Sequence, residues 1–154
     1  MKKIIVLLSL ILIVGCKSKT VVNEPDKSKM TKITLSDVEV NQKNKTYELG
    51  KRILMTCNTS KFKPFTTSEA TESVIRNTTQ ERLTKTCLKF RLRYGNFIDL
   101  KLIEVYRNEQ DDVTIFRYKA LYQKEIANKE LQIFLNNKNQ ISAIKSLDWV
   151  DSFN

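Results

Sequence analysis

Apolar residues are spaced along this chain in three ways, and each spacing predicts a different kind of structure. Residues 4–14 form an apolar run of eleven positions interrupted only by Ser9 and preceded by Lys2 and Lys3. A permanent membrane-crossing helix takes roughly 20 apolar residues, so this run reads as the hydrophobic region of a secretory signal. Residues 17–32 are polar, rich in lysine and contain Pro25. Without periodicity, that stretch is expected to be a flexible tether with a root-mean-square reach of roughly 20–25 Å.

From Leu35 the spacing turns helical. Ser36 and Glu39 stand at capping-box spacing, flanked by Leu35 and Val40 in the positions of a hydrophobic staple. The helix they open is expected to reach about Cys57, with Tyr47, Gly50, Ile53, Leu54 and Cys57 on one face. A loop containing Pro64 follows. Thr66 with Glu69 predicts a short helix to about Arg76, and Thr78 with Glu81 a longer one to Tyr94. The inner face of the longer helix is Leu83, Cys87, Phe90 and Tyr94, and Gly95 is a fitting stop.

After Phe97 the period becomes two. Ile98, Leu100, Leu102, Glu104 and Tyr106 share one phase, and Asp99, Lys101 and Ile103 the other. A turn at 109–112 leads to a strand over 113–123, with Phe116, Tyr118, Ala120 and Tyr122 on one side and Arg117, Lys119 and Gln123 on the other. Strands over 129–135 and 141–150 follow, joined by the polar turn 136–140. Helices first and a strand meander afterwards predict an α+β fold, N-terminal helices packed on one antiparallel sheet of about four strands. The organisation expected is a signal at 1–15, a tether at 16–33 and a single α+β domain at 34–154, a length that supports one modest core.

Composition narrows the chemistry. The chain contains no histidine, which removes Ser-His-Asp and Cys-His catalysis and the common zinc sites. No metal and no cofactor is implied. Net charge is +10, and loss of residues 1–15 leaves 25 basic against 17 acidic residues, or +8. A basic exported protein suits anionic lipid headgroups or an acidic partner. Nucleic acid is not expected outside the cytoplasm, and no motif of the usual nucleic-acid modules is present.

The apolar run ends in Ile13-Val14-Gly15-Cys16. This resembles the lipobox of bacterial lipoproteins, in which a small residue precedes a cysteine that is diacylated and becomes the new N-terminus. Ile13 departs from the commoner leucine. The resemblance implies lipidation at Cys16, with palmitate-type chains holding the protein to a membrane, two or more chains being needed for stable attachment. Lys17 stands where enterobacterial lipoproteins retained in the inner membrane carry aspartate, so the outer membrane is implied where the cell has one.

The order of elements resembles the cone-shaped, nuclear transport factor-like or cystatin-like fold, and within it small bacterial exported domains of unknown function. The likeness spans Ser36 to Trp149. It rests on Arg93-Tyr94-Gly95-Asn96-Phe97 leading into the first long strand and on the polar turn before Ile141. Ser142-Ala143 replaces a glycine frequent in those domains. The resemblance implies helices set into the concavity of a curved sheet. It supplies no activity, because isomerases, hydrolases, dimerisation modules and passive binders share the fold; a homodimer is compatible with it.

Candidate sites follow from these placements. Cys57 and Cys87 both face inward, and an exported compartment permits a disulfide between them, worth on the order of 3 kcal/mol; two buried thiols are the alternative. Glu104, in an otherwise apolar phase, is a weak catalytic candidate: lining the cone, it would be a carboxylate with a raised pKa, beside Tyr106, Tyr118 and Tyr122 as hydrogen-bonding groups; the preferred alternative is that it lies at the strand's open end or pairs with a neighbouring lysine or arginine. Arg82, Lys85, Lys89 and Arg93 form a basic stripe on the third helix, for lipid phosphates or an acidic partner, or simply a solvated face. Asn44, Asn58 and Asn77 lie in glycosylation sequons, read as chance. The expectation is a membrane-anchored envelope lipoprotein whose non-catalytic domain binds a partner protein or an apolar small molecule. The alternatives are an isomerase or lyase using Glu104, and an inhibitor or immunity-type lipoprotein acting through its basic surface.

Overall fold

A computed structural model describes residues 30–153; Cys16, the signal and the tether to residue 29 lie outside the described residues. The elements are β1 (Met30–Ile33), α1 (Val40–Thr59), α2 (Glu72–Asn77), α3 (Gln80–Tyr94), β2 (Phe97–Asn108), β3 (Val113–Tyr122), β4 (Lys129–Asn136) and β5 (Ile141–Asp148). The fold is α+β, with helices and one open antiparallel sheet in the order β1-β2-β3-β4-β5. The sheet therefore has five strands rather than about four. The extra one is Met30–Ile33, within the stretch expected to be tether, whose residues pair from Met30↔Asn108 to Ile33↔Val105. Four residues are too few for period two to stand out in a lysine-rich sequence, and the β2 edge supplies the pairing. Among the described residues, no helix is long and apolar enough to cross a membrane.

The first helix starts later than its capping box predicted. Glu39, not Ser36, is the N-cap, without a side-chain bond, and Ser36 Oγ donates instead to Asp37 Oδ1. Leu35 and Val40 stay exposed, while Val38 is buried. The chain must turn from an edge strand back over the sheet here, and Asp37 N–H closes that turn on Thr34 O. The Thr66–Glu69 box forms half of its bonds. Glu69 Oε2 accepts from Thr66 N–H at 2.9 Å, yet residues 69–71 are drawn onto β5, Thr71 N–H donating to Ile141 O and Ile141 N–H to Glu69 O, so α2 begins only at Glu72. The third box shifts by one residue: Thr79 caps, accepting from Arg82 N–H.

The turns from β2 to β3 and from β4 to β5 are each built by the asparagine that ends the preceding strand. Asn108 Oδ1 accepts from the N–H groups of Gln110 and Asp111, and Asn136 Oδ1 from those of Lys138 and Gln140. Such side-chain-made turns are the reason asparagine favours these positions. The last strand ends at Asp148 rather than Val150. Residues 149–153 instead cross the sheet face opposite the helices, where Phe153 stacks on Tyr106 at 4.4 Å between ring centroids.

The core lies between the helices and the opposing face of β2–β5. Phe116, Tyr118 and Ala120 of β3 and Leu131, Ile133 and Leu135 of β4 are its floor, each at most 2% exposed. Helix α1 lies close on this floor at Gly50, where an added Cβ would stand 2.7 Å from Ile133 Cδ1 and 3.0 Å from Leu100 Cδ1. At the far end of α1, Asn58 clamps β2, with Nδ2 donating to Phe97 O at 2.7 Å and Oδ1 accepting from Phe97 N–H at 2.9 Å. That amide is fully engaged in the fold, whatever its sequon.

Candidate functional site

Two bulges decide what β2 presents to the core. Register slips between Phe97 and Asp99 and again between Leu102 and Glu104, leaving Ile98 and Ile103 without partners. An extra residue in a strand reverses the facing of everything beyond it. Leu100 and Leu102 therefore share the core face with Val105, and Glu104 and Tyr106 pass to the other side, opposite Arg117 and Ile115. Of the two placements open to Glu104, the structure has the pairing with a neighbouring lysine and arginine; it does not line the cone beside Tyr106, Tyr118 and Tyr122.

On that opposite face Glu104 belongs to a network centred on Arg117, which is fully buried. Arg117 donates through Nε and Nη2 to the two carboxylate oxygens of Glu130, both at 2.7 Å, through Nη1 to Glu104, and through Nη2 to Val150 O at 2.9 Å. Its guanidinium lies between the rings of Trp149 and Phe153, at 4.5 and 5.0 Å. Lys32 of β1 closes on Glu104 from the solvent side at 2.6 Å. Burial pushes the Glu104 carboxyl up, but bonds from Lys32, Tyr106 and Arg117 outweigh it and hold the group below its ordinary value. A base at neutral pH needs the opposite shift and a free lone pair. Glu104 is a structural ion here.

Tyr118 and Tyr122 do face the helices, but as core. Tyr118 Oη lies 2.8 Å from Thr46 Oγ1, and burial pushes its phenol up to about 12. Tyr122 is packed edge-on against Phe90 and Phe97 and tilted against Tyr94, its hydroxyl buried without a partner among the described residues.

Space remains beside these residues, where α1, α2 and α3 diverge over β4 and β5. A cavity of about 390 Å³ lies there. Its inner wall is apolar, drawn from Ile53, Leu54, Val74, Leu83, Phe90 and Ile144, and its polar groups are the neutral side chains of Ser73, Asn77, Thr78, Thr86, Ser142 and Ser146. Of the latter, Ser73, Asn77, Thr86 and Ser146 are solvent-exposed and mark the mouth. No lining residue ionises: Cys57 and Cys87, which also border the space, are joined in a disulfide with Cα atoms 4.6 Å apart. Of the two readings open for these cysteines, the structure has the bridge. It ties the last turns of α1 to the middle of α3 and holds one wall of the cavity in place.

The basic stripe lies on the outer side of α3, where Arg82, Lys85, Lys89 and Arg93 are all exposed. Lys85 pairs with Glu81 at 2.9 Å, Arg82 donates to Asn77 Oδ1, and Arg93 lies over the Tyr94 ring. Sequence reasoning missed the cavity's polar rim, because serine and threonine at these spacings carry no distinctive signal. It also missed Arg117, which alternation placed on the side of the strand away from Phe116 and Tyr118 without marking it as buried. Compared with known proteins, the chain matches no family model, no curated protein and no solved structure.

Proposed function

We propose that this protein is an envelope lipoprotein, anchored through Cys16, whose domain is a cystatin-like, nuclear transport factor-like binder of a neutral apolar small molecule. The cavity beside the Cys57–Cys87 bridge carries the reading. Its volume of about 390 Å³ falls in the range of small-molecule sites, roughly 300–1,000 Å³. A wall without charges favours an uncharged occupant, since an ion would lose its hydration without gaining a counter-charge. The hydroxyl and amide groups at the rim suit a ligand with one or two hydrogen-bonding atoms on an apolar body. The placement of all three helices over one sheet face supports the cystatin-like reading. The lipobox-like Ile13–Cys16 and the lysine after it support an outer-membrane location where that membrane exists.

The test uses the mature chain with Cys16→Ser and a neutral naphthylamine fluorophore. Saturable one-to-one binding is expected, abolished by Thr86→Trp at the cavity mouth and retained in Glu104→Gln on the opposite face. Unsaturable binding, or equal binding by Thr86→Trp, would overturn the ligand reading. The anchor is tested separately, by the mass of the protein recovered from membranes with and without Cys16.

A further inference from the structure

Helix α3 carries exposed leucines that no element among the described residues covers. Leu88 and Leu92 are 62% and 73% exposed, one turn apart on its outer side. At 100° per residue, Lys85 and Lys89 lie along one flank of this pair and Arg91 along the other. The loop after β3 adjoins the same helix end, with Lys124 Nζ donating to Leu92 O at 3.2 Å and Lys124 N–H to Tyr94 O at 3.0 Å. Two residues on, Ile126 is 75% exposed. The patch thus presents three protruding aliphatic side chains among six cations (Arg82, Lys85, Lys89, Arg91, Arg93 and Lys124), against the acids Glu81 and Glu125 and, near Arg93, Asp148.

We infer that this face of α3 docks on the anionic headgroups of the membrane that holds the anchor. Aliphatic side chains flanked by lysine and arginine are the pattern of a surface-lying helix: the apolar groups enter the acyl boundary, and the long cationic side chains reach back to the phosphates. A second copy of the chain fits poorly. It would bring six cations against six, and three aliphatic side chains fall far short of the roughly 1,000 Å² that a specific interface needs. Proximity rests on the proposed anchor. Fourteen peptide units separate Cys16 from Met30, a span of at most about 50 Å even if fully extended. The patch itself does not depend on lipidation. Docking also sets the wall of the cavity, built by the inner side of the same helix, against the bilayer.

The lipidated protein, reconstituted in phosphatidylglycerol-containing and in pure phosphatidylcholine vesicles, is compared by hydrogen–deuterium exchange. Slowed exchange over 84–94 and 123–127 is expected on the anionic vesicles only, reversed by high salt. Attached protein with no change over these residues would overturn docking while leaving the anchor intact. In the Cys16→Ser form, co-sedimentation with the anionic vesicles is expected to fall about 25-fold in Lys89→Gln/Arg93→Gln, at roughly fivefold per basic side chain. It should fall in Leu88→Ser/Leu92→Ser as well. Both variants alter exposed positions, and an unchanged midpoint of urea unfolding verifies their fold. Sedimentation indifferent to either pair of substitutions would refute the inference, whatever the state of Cys16.

Discussion

Arg117→Met removes the centre of the polar network on the sheet face opposite the helices, and its cost can be worked from the contacts. Glu130 is 1% exposed and receives two charge-assisted bonds from Arg117; without them only Gln132 Nε2, at 2.7 Å, still donates to it. Breaking a buried ion pair by removing one partner costs about 3–5 kcal/mol, because the other charge is left uncompensated. Loss of the guanidinium from between Trp149 and Phe153 adds to this, so about 4 kcal/mol or more is expected. Replacing both partners, as Arg117→Met/Glu130→Met, removes the orphaned charge and should recover most of the loss. Lys32 remains to balance Glu104. The assay is urea unfolding followed by circular dichroism, with the single tryptophan, Trp149, as a second probe in the network itself. At an m-value of about 1.5 kcal/mol/M, the single variant should shift the midpoint by roughly 2.5–3 M. A single variant that loses under 1 kcal/mol, or a double variant that loses more than the single, would refute the claim that charge compensation holds this face together.

Other predictions read different parts of the fold. Tyr122→Phe removes a buried hydroxyl that has no partner and should leave stability unchanged or slightly raised, whereas Tyr118→Phe loses the bond to Thr46 at about 1 kcal/mol; the two melting temperatures distinguish them. Cys57→Ser/Cys87→Ser opens a bridge between residues 30 apart, costing roughly 3–4 kcal/mol in urea, and should weaken probe binding by loosening the cavity wall. The Arg52 guanidinium beside Glu69 holds its carboxyl down to about 2. A depressed folded value means that the pair's stabilisation is complete above about pH 4.5 and is lost as pH falls toward 2. Arg52→Met should return the Glu69 carboxyl toward 4.5 in a carbon-13 titration and flatten the acid limb of stability; a wild-type carboxyl already titrating there would refute the pairing.

Much of this architecture is local, and local chemistry is legible in the residues themselves. The periodicity of α3, the stop at Gly95, and the turns at Asn108 and Asn136 each depend on neighbours within a few positions. The sequence alone therefore determined the run of three helices followed by four strands, the turns at Asn108 and Asn136, and the inward facing of Cys57 and Cys87. Tertiary structure decided the rest. Ser36 lost its capping role because the chain had to turn back from an edge strand that only the β2 edge makes visible. Glu104 changed faces because a bulge at Ile103 reverses every later side chain, and alternation read along one strand cannot locate the slip that its partner imposes. Arg117, on the side of its strand away from Phe116 and Tyr118, is buried because residues 149–153 return across it from the far end of the chain. The cavity is the most distant consequence: it is the space left where three helices diverge over β5, a property of their packing that no single segment encodes.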